Sequence, residues 1–116
     1  MVIRQWSARV SPEREEEYLS KVRQKVLPVL AQHEGYLGAF FSRRRAQSTI
    51  EYQVISLWDS LESIQGFAGP EPDVAVVPDD IAPTLLNFDS VVEHFEVKVA
   101  HELSRLATAT DEVEER

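Results

Sequence analysis

From Val2 to Val10 the even positions read Val2, Arg4, Trp6, Ala8 and Val10, and the odd ones Ile3, Gln5, Ser7 and Arg9. That alternation predicts a half-buried strand whose even face is apolar, with Arg4 as the exception. Ser11, Pro12 and Glu13 follow: a capping residue, a first-turn proline and an acidic group, the chemistry that stabilises a helix N-terminus. The spacing then changes to three and four. Tyr18, Leu19, Val22, Val26, Leu27 and Leu30 share one helical face, while Glu15, Lys21, Gln24 and Lys25 take the other. Pro28 predicts a kink or a looser last turn, and Gly35 the stop.

Two β-rich runs come next, Tyr36 to Arg44 and Ile50 to Trp58, joined through Gln47-Ser48-Thr49 as a hairpin. Asp59 or Ser60 caps a second, short helix on which Leu61, Ile64 and Phe67 share a side, and Gly69-Pro70 closes it. Pro72, Pro78 and Pro83 make Glu71 to Asp89 a loop with one helical turn over Asp80 to Leu86. Ser90 to Val99 predicts the last strand, with Val91, Glu93, Phe95, Val97 and Val99 on one face and Val92, His94, Glu96 and Lys98 on the other. Residues 1–99 thus form one domain, and 100–116 a tail that is either a frayed helix or disordered.

Strand, helix, strand, strand, helix, strand is the α+β, ferredoxin-like split βαβ order (βαββαβ), an antiparallel sheet carrying both helices on one face. The other face is left bare. Yet Phe40, Phe41, Ile55 and Leu57 put apolar groups on both faces of the hairpin. A bare apolar face needs cover, so the pattern predicts a homodimer closed through the sheet face, with an apolar pocket inside each subunit.

Composition narrows the partners. The chain has 116 residues, 43% hydrophobic and 28% charged, which suits a single globular domain. Its net charge of -8 repels phosphate backbones and anionic bilayers, so neither nucleic acid nor membrane is an expected partner. The one basic run, Arg43-Arg44-Arg45, reads as a solvated hairpin tip rather than a phosphate site. Absence of cysteine removes disulfides, thiolate metal sites and cysteine nucleophiles. No run has a membrane span's length and no basic-then-apolar leader opens the chain, so a soluble, cytoplasmic protein is the expectation.

The stretch Ile55-Ser56-Leu57-Trp58-Asp59-Ser60-Leu61-Glu62-Ser63-Ile64, then Phe67-Ala68-Gly69, and later Val92-Glu93-His94-Phe95-Glu96-Val97, resembles the antibiotic biosynthesis monooxygenase family of dimeric α/β barrels. The similarity runs from Met1 to Val99. Its most telling piece is a strand-end tryptophan with a capped helix straight after it. The resemblance implies the fold and leaves activity open, because the superfamily also holds heme-degrading oxygenases, dye-decolourising and chlorite-converting enzymes, stress proteins and members without a known reaction.

Arg4 points toward apolar surroundings, where an unpaired charge is costly. Either it pairs with Glu93 or Asp89 or snorkels to the sheet edge, or it binds a ligand's carbonyl, phenolate or carboxylate and stabilises an oxyanion. Trp58 lines the pocket if the resemblance holds, and otherwise plugs the end of the barrel. Trp6, Phe67 and Tyr52, with Tyr36 and Phe40, are core residues or, together, an aromatic lining for a planar ligand. His94 is a hydrogen-bonded structural histidine or, facing the pocket, the base that takes a proton from a phenol-like substrate before dioxygen reacts.

His33, His94 and His101 share no ligand spacing with carboxylates, and no Gly-rich phosphate loop, Ser-His-Asp arrangement or HExxH is present. No metal or cofactor is therefore expected. Heme-degrading relatives carry a histidine on the second helix beyond the tryptophan. Here that place falls near Ala68, and Asp59 to Ser90 contains no histidine, which leaves only His94 as an axial candidate. The acidic cluster Glu13, Glu15, Glu16 and Glu17 reads as support for the helix start. The leading functional expectation is a cofactor-independent monooxygenase acting on a small aromatic or polyketide-like substrate. A small-molecule-binding or stress-response dimer without turnover is the alternative, and heme binding the third reading.

Overall fold

A computed structural model describes residues 1–108. Strand β1 spans Val2–Val10, helix α1 Glu15–Lys21 and helix α2 Leu27–Ala31. Strands β2 and β3 span Tyr36–Ala46 and Thr49–Trp58, helix α3 Leu61–Ala68, and two short strands, β4 Asn87–Phe88 and β5 Glu93–Glu96, close the sheet. All pairings are antiparallel, in the order β2-β3-β1, with β4 and β5 both paired to β1. This is the ferredoxin-like α+β fold.

The first helical region is not one smooth helix. A 3-10 turn at Pro12–Arg14 leads into α1, and a π-turn at Val22–Val26 separates α1 from α2. Proline at 28 has no N–H to give and its ring crowds the preceding turn; the wider turn just before it, closed by Leu27 N–H onto Val22 C=O, accommodates both defects. Ser11 sits in extended backbone at the start but its side chain makes no cap bond. By contrast, Ser60 caps α3 as its spacing predicts, accepting from Ser63 N–H at 3.1 Å.

Gly35 has φ +89, and a Cβ there would overlap Ser63 Oγ and Asp59 Oδ1. Glycine lets the chain enter β2 against the start of α3, where Asp59 N–H donates to Gly35 C=O at 2.9 Å. At the hairpin, Gln47 takes the left-handed conformation (φ 58) in a two-residue turn. Arg43 and Arg44 stand exposed at the strand end beside the hairpin turn, as expected, and both are ion-paired: Arg43 with Glu15 at 2.8 Å and Arg44 with Glu51 at 2.7 Å.

The expected last strand, Ser90 to Val99, is corrected. Pairing with β1 begins earlier, at Asn87–Phe88, breaks, and resumes only over Glu93–Glu96. The break has a cause in competing hydrogen bonds. Trp6 Nε1 donates to Asp89 C=O at 2.6 Å, while Ala75 N–H reaches Ser90 C=O and Val92 N–H reaches Asp73 C=O, drawing the strand out against the 72–75 segment. Beyond Ala100, a 3-10 turn spans Leu103–Thr108, so the tail's start is helical; residues 109–116 lie outside the described residues. Among the described residues no helix is long and apolar enough to cross a membrane.

Register assigns the faces. Val2, Arg4, Trp6, Ala8 and Val10 oppose Trp58, Ser56, Val54, Tyr52 and Ile50, all toward the helices. Two buried clusters fill the ends of that layer, one around Val10, Tyr18, Ile50 and Tyr52, the other around Leu30, Trp58 and Ile64. On the open face Phe40, Ile55, Leu57, Ile3 and Phe95 lie side by side across four strands. Phe40 and Phe95 are 47% and 50% exposed, an uncovered apolar patch.

Candidate functional site

Between the two core clusters lies an apolar cavity that is partly open to solvent. Its floor is sheet, from Arg4, Trp6, Phe41, Val54 and Ser56. Its roof comes from Tyr18, Val22, Val26 and Leu30 on the helical layer and Phe67 on α3, and Val76, Val77, Pro78 and Ile81 of the proline-rich loop border it. Nearly every lining group is apolar. The exceptions are few and placed, as in small-molecule sites.

Arg4 is the main one, only 6% exposed. Its Nη1 donates to Pro72 C=O at 2.5 Å and to His94 Nε2 at 3.0 Å, and its Nη2 donates to Val74 C=O at 3.2 Å. The expected ion pair with Glu93 or Asp89 does not form; backbone carbonyls of the proline-rich loop take that place. A guanidinium carries five N–H donors. Three are used among the described residues, which leaves Nε–H and one Nη2–H without a partner there. Burial lowers the Arg4 pKa, with Asp73 pulling the other way, and the group stays cationic. Its carbon Cζ stands 5.7 Å from the centre of the Phe67 ring.

Ser56 is the cross-strand partner of Arg4 and 7% exposed. It accepts from Trp58 Nε1 at 2.9 Å, which leaves its own proton to donate. Nothing in a propensity scan singles it out; the signal was a hydroxyl standing in register among buried apolar positions.

The sequence-predicted aromatics divide. Trp6 and Phe67 line the cavity. Trp58 is fully buried one layer behind it, stacked on Phe67 at 5.4 Å and against Tyr36, so it supports the wall without being part of it. Tyr52 is core: its ring meets Tyr18 edge-on at 5.0 Å and its hydroxyl donates to Glu15 at 2.6 Å, and burial first and Glu15 second raise its pKa.

His94 stands beside the cavity but is absent from its lining. Its Nε2 is the acceptor for Arg4, and its Nδ1 meets Asp73 Oδ1 at 3.2 Å. With Arg4 able only to donate, His94 is the neutral tautomer carrying its proton on Nδ1, toward Asp73. Burial, then the Arg4 charge, lower its pKa below 6.5.

A histidine held neutral by the fold stabilises it fully above its unfolded pKa of about 6.5, and that contribution is lost as pH falls through 6.5 toward the lower folded value. Protonation also turns the Nε2 acceptor into a donor facing a cation. Calorimetric melting from about pH 8 down to about pH 5.5 is therefore expected to show a wild-type decline below 6.5 that is smaller in His94→Gln. Parallel curves for the two proteins would exclude the linkage.

The donor set does not fit a heme iron. Both His94 nitrogens are engaged, and Tyr18, the one lining phenol, is kept protonated because burial raises its pKa. Among the described residues no three His, Asp or Glu side chains gather as a metal site.

A family model described as antibiotic biosynthesis monooxygenase matches residues 1–71. No curated protein matches the chain. Among solved structures, a Deinococcus radiodurans protein named as a candidate antibiotic biosynthesis monooxygenase is 14% identical, with a TM-score of 0.58 over 89% of this chain and 98% of that one. SnoaB, a cofactor-independent oxygenase from Streptomyces nogalater, is 12% identical with a TM-score of 0.53, over 87% and 95%. MhuD from Mycobacterium tuberculosis, a heme-degrader with two hemes bound in its active site, is 22% identical with a TM-score of 0.52, over 86% and 98%. At these identities the likeness shows the fold alone.

Proposed function

Because the chain belongs to the antibiotic biosynthesis monooxygenase family, we propose that it takes a small aromatic or polyketide-like molecule with an acidic oxygen into the cavity and oxygenates it with dioxygen, without a cofactor. The observation that carries this reading is Arg4: a cation with two N–H donors left over, on the wall of an apolar cavity lined by Trp6 and Phe67.

An enol or phenol of the substrate ionises more readily beside Arg4, and Ser56 adds a second donor to the same oxygen. Negative charge then spreads onto a ring carbon. The proton released on ionisation passes to water at the cavity mouth, and the carbon gives its electrons to dioxygen, forming a C–O bond; the peroxide takes a proton back from water, and as the second C–H proton is lost the O–O bond breaks, hydroxide leaves to become water and the former CH₂ is a carbonyl. Dioxygen is the oxidant, reduced to one carbonyl oxygen and one water. His94 and Asp73 act through Arg4, fixing the guanidinium in place, while Trp58 backs Phe67 and Ser56. Trp6 and Phe67 flank the planar substrate, and Tyr52 holds the far core.

The protein works as a homodimer closed through the open sheet face, whose apolar patch would otherwise face water.

An oxygen electrode tests the chemistry. An anthrone is expected to drive dioxygen consumption of one molecule per carbonyl formed, in chelator-treated protein. A second reading, capture without turnover, is favoured by the engaged lone pair of His94, which leaves no free base among the lining residues. Tight binding of the anthrone with no dioxygen uptake would select it.

A further inference from the structure

The segment 72–75 lies outside every helix and strand and runs straight on into Val76, Val77 and Pro78, which border the cavity. Three sets of contacts tie it to the sheet. Backbone bonds join it to 90–92, with Ala75 N–H donating to Ser90 C=O at 3.0 Å and Val92 N–H to Asp73 C=O at 2.8 Å. The Arg4 guanidinium donates to the carbonyls of Pro72 and Val74. The Asp73 carboxylate accepts from His94 Nδ1 at 3.2 Å.

His94 joins the second set to the third. Its Nε2 accepts from Arg4 at 3.0 Å, a contact that only the neutral ring can make. Protonation puts an N–H there, aimed at a cation, and Arg4 is only 6% exposed, so little water is at hand to screen the two charges. The partners left to Arg4 are the loop carbonyls, and guanidinium and loop move off together. Asp73 pulls the other way, since a charged His94 attracts it. Its side chain is 79% exposed, however, and solvent weakens that attraction, whereas the Arg4 contact lies inside. The acidity of His94 shows the same balance: burial and then Arg4 lower its pKa against the opposing pull of Asp73. Its neighbours on β5 are turned elsewhere, Glu93 to the open face and Glu96 to exposed Lys98 at 3.5 Å.

We propose that His94 is a proton-operated latch, whose protonation frees the 72–75 segment from the sheet and widens the cavity on that side while the rest of the fold holds. This rests on the cavity reading above and adds regulation to it: access is greater in mild acid than at neutral pH.

Amide hydrogen exchange of the whole chain, followed by NMR from about pH 7.5 to about pH 5 and corrected for intrinsic rates, reads the latch directly. The Ala75 and Val92 amides are expected to exchange faster than those of the β1–β3 ladder, and to lose protection by about threefold or more as pH falls below 6.5. His94→Gln, which offers Arg4 an oxygen but does not titrate, abolishes that response. Asp73→Asn keeps it and moves it to lower pH, because the Asp73 charge raises the His94 pKa. Exchange of Ala75 and Val92 at the ladder's rate, or a response that survives in His94→Gln, overturns the proposal. Stopped-flow entry of naphthalene, an uncharged probe, is expected to speed up over the same pH range in wild type alone. If naphthalene binds but enters at one rate throughout, the cavity reading stands and the latch falls. If it does not bind, both fall together.

Discussion

Replacing Arg4 by alanine is expected to weaken capture of an acidic aromatic ligand by about a hundredfold or more, and to stop dioxygen uptake. Two free N–H donors on a buried cation can each form a charge-assisted bond of roughly 1.5–3 kcal/mol to a phenolate oxygen. Losing both removes about 3 kcal/mol or more, and every 1.4 kcal/mol is tenfold in affinity. The same substitution releases the carbonyls of Pro72 and Val74 and the lone pair of His94, so the loop beside the cavity loosens. A neutral aromatic of the same outline separates the two effects. Its affinity reports only on the loop, and it is expected to fall far less than that of the ionised ligand. Equal loss for both ligands would mean that Arg4 is a loop anchor and nothing else.

Phe40→Asp is expected to turn a dimer into a monomer. The wild type should sediment at twice its 13.2 kDa chain mass at micromolar concentration, and the variant at 13.2 kDa. Phe40 is half exposed in the single chain, so its replacement costs the monomer little. Within a closed sheet-to-sheet interface the new carboxylate would lie beside Ile55, desolvated and unpaired, at a cost of several kcal/mol in each half. Ser42→Asp, placed at the polar end of the same strand among Arg44, Glu51 and Gln53, is the control expected to leave the dimer intact. A wild type that sediments as a monomer would remove the dimer from the proposal.

Much of the fold was legible because hydrophobic spacing reports local geometry directly. Period two from Val2 to Val10 and period three to four from Tyr18 to Leu30 required no knowledge of the rest of the chain. Element order then left one compact topology, and the observed sheet follows it. Pro28 signalled an irregular helix, though not that the irregularity would be a wider turn placed ahead of it. The last strand was misjudged because Val91 and Val92 look like strand residues, and they do pair, only with a loop segment far away in sequence. Competition between two hydrogen-bonding partners leaves no mark in local composition.

The site follows the same division. Arg4 was conspicuous as a charge in an apolar register, and Trp58 as a large aromatic at a strand end. Where their side chains go was not readable, since Trp58 backs the wall and Arg4 is held by carbonyls of the proline-rich loop. Ser56, Asp73 and the Tyr18 hydroxyl escaped notice because serine in a strand, aspartate in a loop and tyrosine on an apolar helix face are each ordinary.

By itself, the sequence determined the order of elements, the two-faced sheet and the one charge misplaced on an apolar face, since each is a property of neighbouring residues along the chain. Only the tertiary structure decided that His94 and Asp73 stand behind Arg4, that the proline-rich loop supplies the carbonyls that hold it, and that the Tyr18 hydroxyl is buried without a partner among the described residues. Those facts depend on groups brought together from distant parts of the chain, and a hydrogen bond's partner is fixed by distance in space.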